Sequence, residues 1–352
     1  MSNKWDFLNL PLQPNDNFDV YLRWIVERYR RFERRAAGEP LAPAPPGDKF
    51  LCTLAKYSFC NPFRVLDTGS QIVVYLQQDS DLSPEPVEVV FRTALYRAFN
   101  SPDTLRWLIE YFGGNVPSWR DYDFAFCSKA LGKVEARIGT LYRGAYMFND
   151  SLIYGGDRNG EAYPRKYQGS LRLVQRLIED GVVERVCAAR TVEEIFNALS
   201  NRGKYFAFSG GFLAMQLAYD LAYSDVTRAG EDDFWPIRGG NGYADGMELC
   251  FGRPFNINND DDLRVIAQIV WRLWEEQDRC FATLGYPPIR LFGQRELKPI
   301  DLENSLCETS KMLKALHGIA QPRRLYKGKG GKLEEIWLPR KWGITDEMRI
   351  IE

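Results

Sequence analysis

Apolar residues recur at helical spacing along most of the chain. Residues 89–99 carry Val89, Val90, Phe91, Ala94, Leu95 and Phe99, and Asn100-Ser101-Pro102 then reads as a stop and a fresh cap for a helix over 103–111. The same periodicity predicts helices over 18–37, 170–180, 191–200, 211–223, 262–280 and 301–317, several opened by Ser, Thr, Asp or Asn. Alternation with β-branched residues is scarce, and Gln71 to Gln77 is the best strand-like run. The fold expected is therefore mainly α. Pro-Leu-Ala-Pro-Ala-Pro-Pro-Gly at 40–47 cannot be helix or central strand, so it separates the first helix from the rest.

Composition sharpens this picture. The 352 residues are 45% hydrophobic and 26% charged, enough to bury a substantial core in one or two domains. Charges interrupt every apolar run before the roughly 20 residues a membrane span needs, and the N-terminus lacks the apolar stretch of a signal peptide, so no membrane partner is expected. Seven scattered cysteines without a C-x-x-C spacing point to reduced thiols in a cytoplasm. A single histidine, His317, leaves no material for a Ser-His or Cys-His nucleophile pair or for a His-rich metal site. Neither a metal nor a cofactor is expected.

The net charge of −1 conceals segregation. Arg23, Arg28, Arg30, Arg31, Arg34 and Arg35 crowd the first helix, and Arg323, Arg324, Lys327, Lys329 and Lys332 follow Gln321 with no acid among them. Two such patches suit a polyanion, although a solvated helix face and a solvated tail would look the same. Phosphate-loop patterns fail: Gly328-Lys-Gly-Gly-Lys lacks the nucleotide-loop spacing, and Gly240-Asn-Gly-Tyr-Ala-Asp-Gly246 has its last glycine one place late for a dinucleotide loop.

Two polar stripes stand out. In the segment from Gly210 and Gly211 to Leu221, Leu213, Leu217 and Leu221 share one helix face, and Gln216 and Asp220 share another at i, i+4. The paired glycines allow a tight turn with exposed backbone N–H groups at a helix start, a geometry that receives phosphate. An acid in so apolar a helix is either a paired structural aspartate or a functional one. Near the C-terminus Asp301, Asn304, Glu308 and Lys311 are spaced to share a face, either lining a cleft or placing Glu308 and Lys311 as a surface i, i+3 pair.

Five segments in order carry a resemblance: Glu27-Arg28 through Arg35 and Gly38; Lys56-Tyr-Ser-Phe-Cys-Asn-Pro-Phe-Arg-Val-Leu-Asp67; Gly144-Ala-Tyr-Met147; Gly211 through Leu221; and Asp301 through Glu308 with Lys311. Together, over about residues 20–317, they resemble the helical family shared by the accessory domain of phage 5-hydroxymethyluracil DNA kinases and the alpha-glutamyl/putrescinyl thymine pyrophosphorylases, or amino acid:DNA transferases. The resemblance implies a two-lobed fold like that of the helix-hairpin-helix DNA glycosylases. With the proline-rich break and the basic run, the expected division is an Arg/aromatic helix and Pro-rich linker (1–48), a glycosylase-like helical body with a central cleft (49–317) and a basic tail (318–352).

The activity it implies replaces the phosphate or pyrophosphate of a phosphorylated 5-hydroxymethyluracil in double-stranded DNA by an amino acid or polyamine. A glycosylase acting on a modified pyrimidine, or a non-catalytic DNA-binding subunit of a modification complex, are the alternatives. On the transferase reading Asp220 deprotonates or orients the amine, with Glu308 and Lys311 beside it in the chemistry. Gln216, Asp301, Asn304, Tyr57, Asn61, Arg64 and Tyr146 hold base or amine, and Arg28, Arg31, Arg35, Gly210, Gly211, Gly240 and Gly242 meet DNA or phosphate. The two polar stripes are expected to converge on an extruded base. Where the family carries an Arg-Arg pair in its glycine loop, this chain has Ala244 and Asp245, which removes two cations from any phosphate grip there.

Overall fold

The computed structural model describes residues 3–41, 43–78, 85–143, 163–200, 205, 208, 211–232, 241–326 and 336–345. The described chain is mainly helical, its only named strands forming a two-residue antiparallel pair, β1 (Arg290–Leu291) with β2 (Arg295–Glu296). It divides into two compact units: Met1–Asp67, Pro236–Ile336 and Ile344–Glu352 form the first, and Thr68–Trp235 with Trp337–Gly343 the second. Gly47, Asp48, His317 and Gly318 all fall within the first unit.

The first unit contains α1 (Asn17–Ala36), α2 (Lys49–Lys56), α11 (Asn241–Phe251), α12 (Asp260–Glu275), α13 (Gln277–Thr283) and α14 (Pro299–Leu316). The remaining helices, α3 to α10, belong to the second unit. Helix α1 buries Phe18, Tyr21, Leu22, Trp24, Ile25, Val26, Tyr29 and Phe32 and leaves most of its arginines at least partly exposed. Asp48 caps α2 by accepting from Leu51 N–H, and Asn259 caps α12, whose first turn adds three aspartates to the positive end of the helix dipole. Helix α14 is the hub, packed by α1, α2, α11 and α12.

The α11–α14 contact overturns the expectation of a glycine loop. Residues 241–246 are helical, and a Cβ on Gly242 would lie 2.3 Å from Cys307 Sγ, one on Gly246 2.4 Å from the Leu306 carbonyl oxygen. The two glycines, four apart, form a flat seam that brings two backbones together; their spacing serves helix packing. Gly240 lies outside the described residues.

The second unit contains α3 (Thr68–Gln78), α4 (Pro86–Phe99), α5 (Pro102–Tyr111), α6 (Phe124–Ile138), α7 (Lys166–Glu179), α8 (Val182–Ala188), α9 (Val192–Ser200) and α10 (Phe212–Ala222). Asn100 turns left-handed at φ 48° to end α4, and Ser101 accepts from Thr104 N–H to open α5, as the Asn-Ser-Pro signal predicts. The strand-like run Gln71–Gln77 is helix α3 instead. Of its buried positions, Ser70, Val73, Val74 and Gln77 follow i, i+3, i+4, i+7, with Leu76 buried beside them, so burial on a helical face prevails over β-branching.

Helix α4 is buried along nearly its whole length, including Glu88, Arg92 and Arg97. Glu88 accepts from Ser118 Oγ and Trp119 N–H and faces Arg92, so its charge is satisfied. The strap Trp337–Gly343 lies along this unit. Gln71 both accepts from Trp337 N–H (2.8 Å) and donates to its carbonyl (2.9 Å), while Gln78 donates to the Leu338 carbonyl. Leu338 is buried, and the Trp342 indole N–H donates to Glu231.

Candidate functional site

In the first unit the segment 57–67, α1 and the polar face of α14 meet. Glu308 accepts from Cys60 N–H (3.0 Å) with one oxygen and from the Lys311 ammonium with the other. One turn earlier on α14, Asn304 donates to the Asn61 carbonyl (3.2 Å). Asn61 in turn donates its backbone N–H to Asp67 (2.7 Å) and its side-chain amide to the Leu66 carbonyl, and its amide oxygen is buried with no hydrogen-bond partner among the described residues. Arg28 reaches down from α1 to the Phe59 carbonyl (3.3 Å).

The electrostatics follow from this crowding. Desolvation pushes the Asp67 carboxyl up to about 6; the Asn61 N–H opposes it, Glu308 adds to it, and Arg28 and Arg64 oppose it in smaller measure. Burial lowers the Arg28 guanidinium pKa, with Asp67 working the other way. Two carboxyls that share a neighbourhood, one of them raised towards neutrality, and two flanking cations can hold a polar substrate and accept a proton from it.

Asp301 lies on the same helix but has a fixed task. One oxygen accepts from Lys298 N–H (3.0 Å), closing the first turn of α14, and the other from Arg64 N–H (2.7 Å), anchoring the 64–66 turn. Arg64 is itself buried, beside Glu303, whose carboxyl desolvation pushes up to about 7 against the pull of that guanidinium. Tyr57 donates to Gln321, and residues 56–58 exchange backbone hydrogen bonds with 324–326. The start of the expected basic tail is thus docked at the end of α2. Arg31 stacks over Tyr326, and Arg35 is half-buried, with its Nε lacking a hydrogen-bond partner among the described residues. Asp245 pairs with Lys314 of α14 at 2.5 Å.

The second stripe lies in the second unit. Asp220 is fully buried, and Arg97 of α4 closes both its oxygens, Nε to Oδ2 at 2.5 Å and Nη2 to Oδ1 at 3.0 Å. Gln77 donates to the Asp220 backbone carbonyl. Gln216 lines a small hollow with Arg97, Leu173, Leu177, Phe208 and Leu213. Gly211, at φ 78°, starts α10. Residues 146 and 210 lie outside those described.

The structure therefore gathers Tyr57, Asn61, Arg64, Asp301, Asn304, Glu308, Lys311 and Arg28 in one unit and places Gln216 and Asp220 in the other. Reading the sequence missed Asp67 and Glu303 as titratable members of the first group and Arg97 as the partner of Asp220. Asp67 closes the Lys56–Asp67 motif and was accessible to inspection; Arg97 has no local signal.

The family model of the 5-hydroxymethyldeoxyuridine DNA kinase helical domain matches residues 15–321. The chain belongs to that family. Comparison with curated proteins and with solved structures returned no match. The match spans the first-unit polar group and the whole second unit up to the strap. No helix among the described residues is long and apolar enough to cross a membrane, and no group of His, Cys, Asp and Glu among them is placed to hold a metal.

Proposed function

We propose that the chain takes part in hypermodification of thymine in DNA, exchanging the phosphorylated hydroxyl of a 5-hydroxymethyluracil for an amine. What carries the reading is family membership over 15–321 together with the Asp67, Glu308, Asn61, Asn304 and Lys311 group inside the matched region. In the exchange the methylene C–O bond breaks and phosphate or pyrophosphate leaves with the electron pair. The amine nitrogen forms the new C–N bond, and its surplus proton passes to a carboxylate.

Each part of that chemistry has a candidate group. Asp67, whose carboxyl lies near neutrality, accepts the amine's proton; Glu308 holds the ammonium before transfer. The Asn61 amide oxygen, without a hydrogen-bond partner among the described residues, accepts from a substrate N–H. Arg28 and Lys311 offset the charge of the leaving group. Asp220, the base implied by the family resemblance, is on this reading a positioning residue, because both of its oxygens are already engaged by the Arg97 guanidinium in the buried interior of the second unit.

The test is incubation of the purified protein with duplex DNA carrying 5-(pyrophosphoryloxymethyl)uracil and a pool of amino acids and polyamines, followed by digestion and mass measurement of the nucleosides. The expected product is a uracil nucleoside with an amine on its methylene carbon. Free base with an abasic site would make the chain a glycosylase, and unaltered nucleosides with every amine would defeat the transferase reading. Asp67→Asn is expected to cut turnover by about 10² to 10⁴-fold with little change in folding.

A further inference from the structure

Helix α6 carries a surface that neither polar group explains. Phe126, Lys129, Lys133 and Arg137 lie at i, i+3, i+7 and i+11, on one stripe of the helix, and all four are exposed. Phe126 is 46% exposed, one of three large hydrophobic side chains so placed among the described residues, and its ring stands edge-on to Phe112 at 5.4 Å. Among the described residues, none of the three cations is in a salt bridge. Two of them lie over rings of α5: the Arg137 guanidinium sits 3.6 Å from the Trp107 ring centroid and the Lys133 ammonium 5.6 Å from that of Tyr111. Asp123 caps α6 and Asp103 pairs with Arg106 and Arg143, while Glu110 of α5 and Glu135 of α6 are, among the described residues, in no salt bridge with the three cations.

We propose that this face binds a single strand of DNA, with one base stacked on Phe126 and successive phosphates on Lys129, Lys133 and Arg137. At about 1.5 Å rise per residue the cations stand about 6 Å apart along the helix, close to the separation of neighbouring phosphates along a strand. An exposed ring beside a row of unneutralised cations is the pairing that single-strand binding requires: the ring takes any base face, and the cations follow the backbone. This surface rests on the proposed function for its ligand class, since a base drawn from the duplex leaves an unpaired strand beside it.

The experiment is fluorescence anisotropy of the full chain with an unmodified single-stranded oligonucleotide and with the matching duplex, over a series of KCl concentrations. Lys129→Gln with Lys133→Gln is expected to weaken single-strand binding about tenfold or more and to flatten the log K against log salt slope by about 1.4, at about 0.7 for each phosphate no longer neutralised. Phe126→Ala is expected to weaken binding at least fivefold with the slope unchanged, a response that generic attraction to cations does not give. Wild-type affinity in either variant, or binding of the duplex but not of the single strand by the wild type, would overturn the proposal. Binding uses plain DNA and the exchange assay uses modified base, so the outcomes separate: exchange with unaltered strand binding in the variants sinks only this surface, and variant-sensitive strand binding without exchange sinks only the transferase.

Discussion

Arg97 and Asp220 lie 123 positions apart in sequence, yet their side chains close on each other in the interior of the second unit. Removing one partner from a buried pair leaves the other charged and unsolvated, at a cost of about 3–5 kcal/mol. Asp220→Asn is therefore expected to lower the stability of the second unit by that order, measured by urea denaturation, and Asp220→Leu with Arg97→Met to recover a good part of it. If Asp220→Asn melts like the wild type, the pair contributes no stability. Glu303 makes the opposite kind of prediction. Desolvation raises its folded-state pKa to about 7, so its contribution to stability is complete below the ordinary carboxylate range and is lost as pH climbs through 7. Glu303→Gln is expected to flatten the fall in Tm between pH 5 and 8; an unchanged profile would assign the fall to Asp67 or to another group.

At the scale of elements, the α11–α14 seam shows how a motif can be visible and misjudged. Gly242 and Gly246 read as a failed nucleotide loop because glycines at short spacing suggest turns, and no local feature announces that α14 will lie against them. Gly246→Ala must push its methyl into the Leu306 carbonyl, so a loss of about 1–3 kcal/mol is expected in thermal melts, whereas Gly230→Ala, whose nearest neighbouring atom would be 4.0 Å away, is expected to change little. The helices with clear caps and periodic stripes, α1, α4, α5, α9, α10 and α14, were legible to within a few residues. Helix α3 was not, because Ile72-Val73-Val74-Tyr75 favours strand locally and only burial on Ser70, Val73, Val74 and Gln77 decides against it. The α14 stripe was legible as a polar face, and it does meet the 57–67 segment. The groups it meets there, Arg64 and Asp67, come from a part of the chain more than 200 positions earlier, which no periodicity reveals.

For the molecule as a whole, connectivity matters more than composition. The chain leaves the first unit after Asp67, returns at Pro236, lends Trp337–Gly343 to the second unit and returns once more. A proline-rich stretch marks a break for the eye, but it lies within the first unit. Leu338→Asp places a charge where the strap is buried and is expected to destabilise the second unit by about 2 kcal/mol or more. Amide exchange would check it: α3 should lose protection, and α14 should keep its own.

The strap also imposes an order on biosynthesis. Helices α3 to α10 have all been made by Trp235, but the peptide that satisfies Gln71 and Gln78 emerges only after residues 236–336 have been added. At about 5–20 residues per second that is an interval on the order of ten seconds, during which the nascent unit keeps an open seat for a segment still on the ribosome.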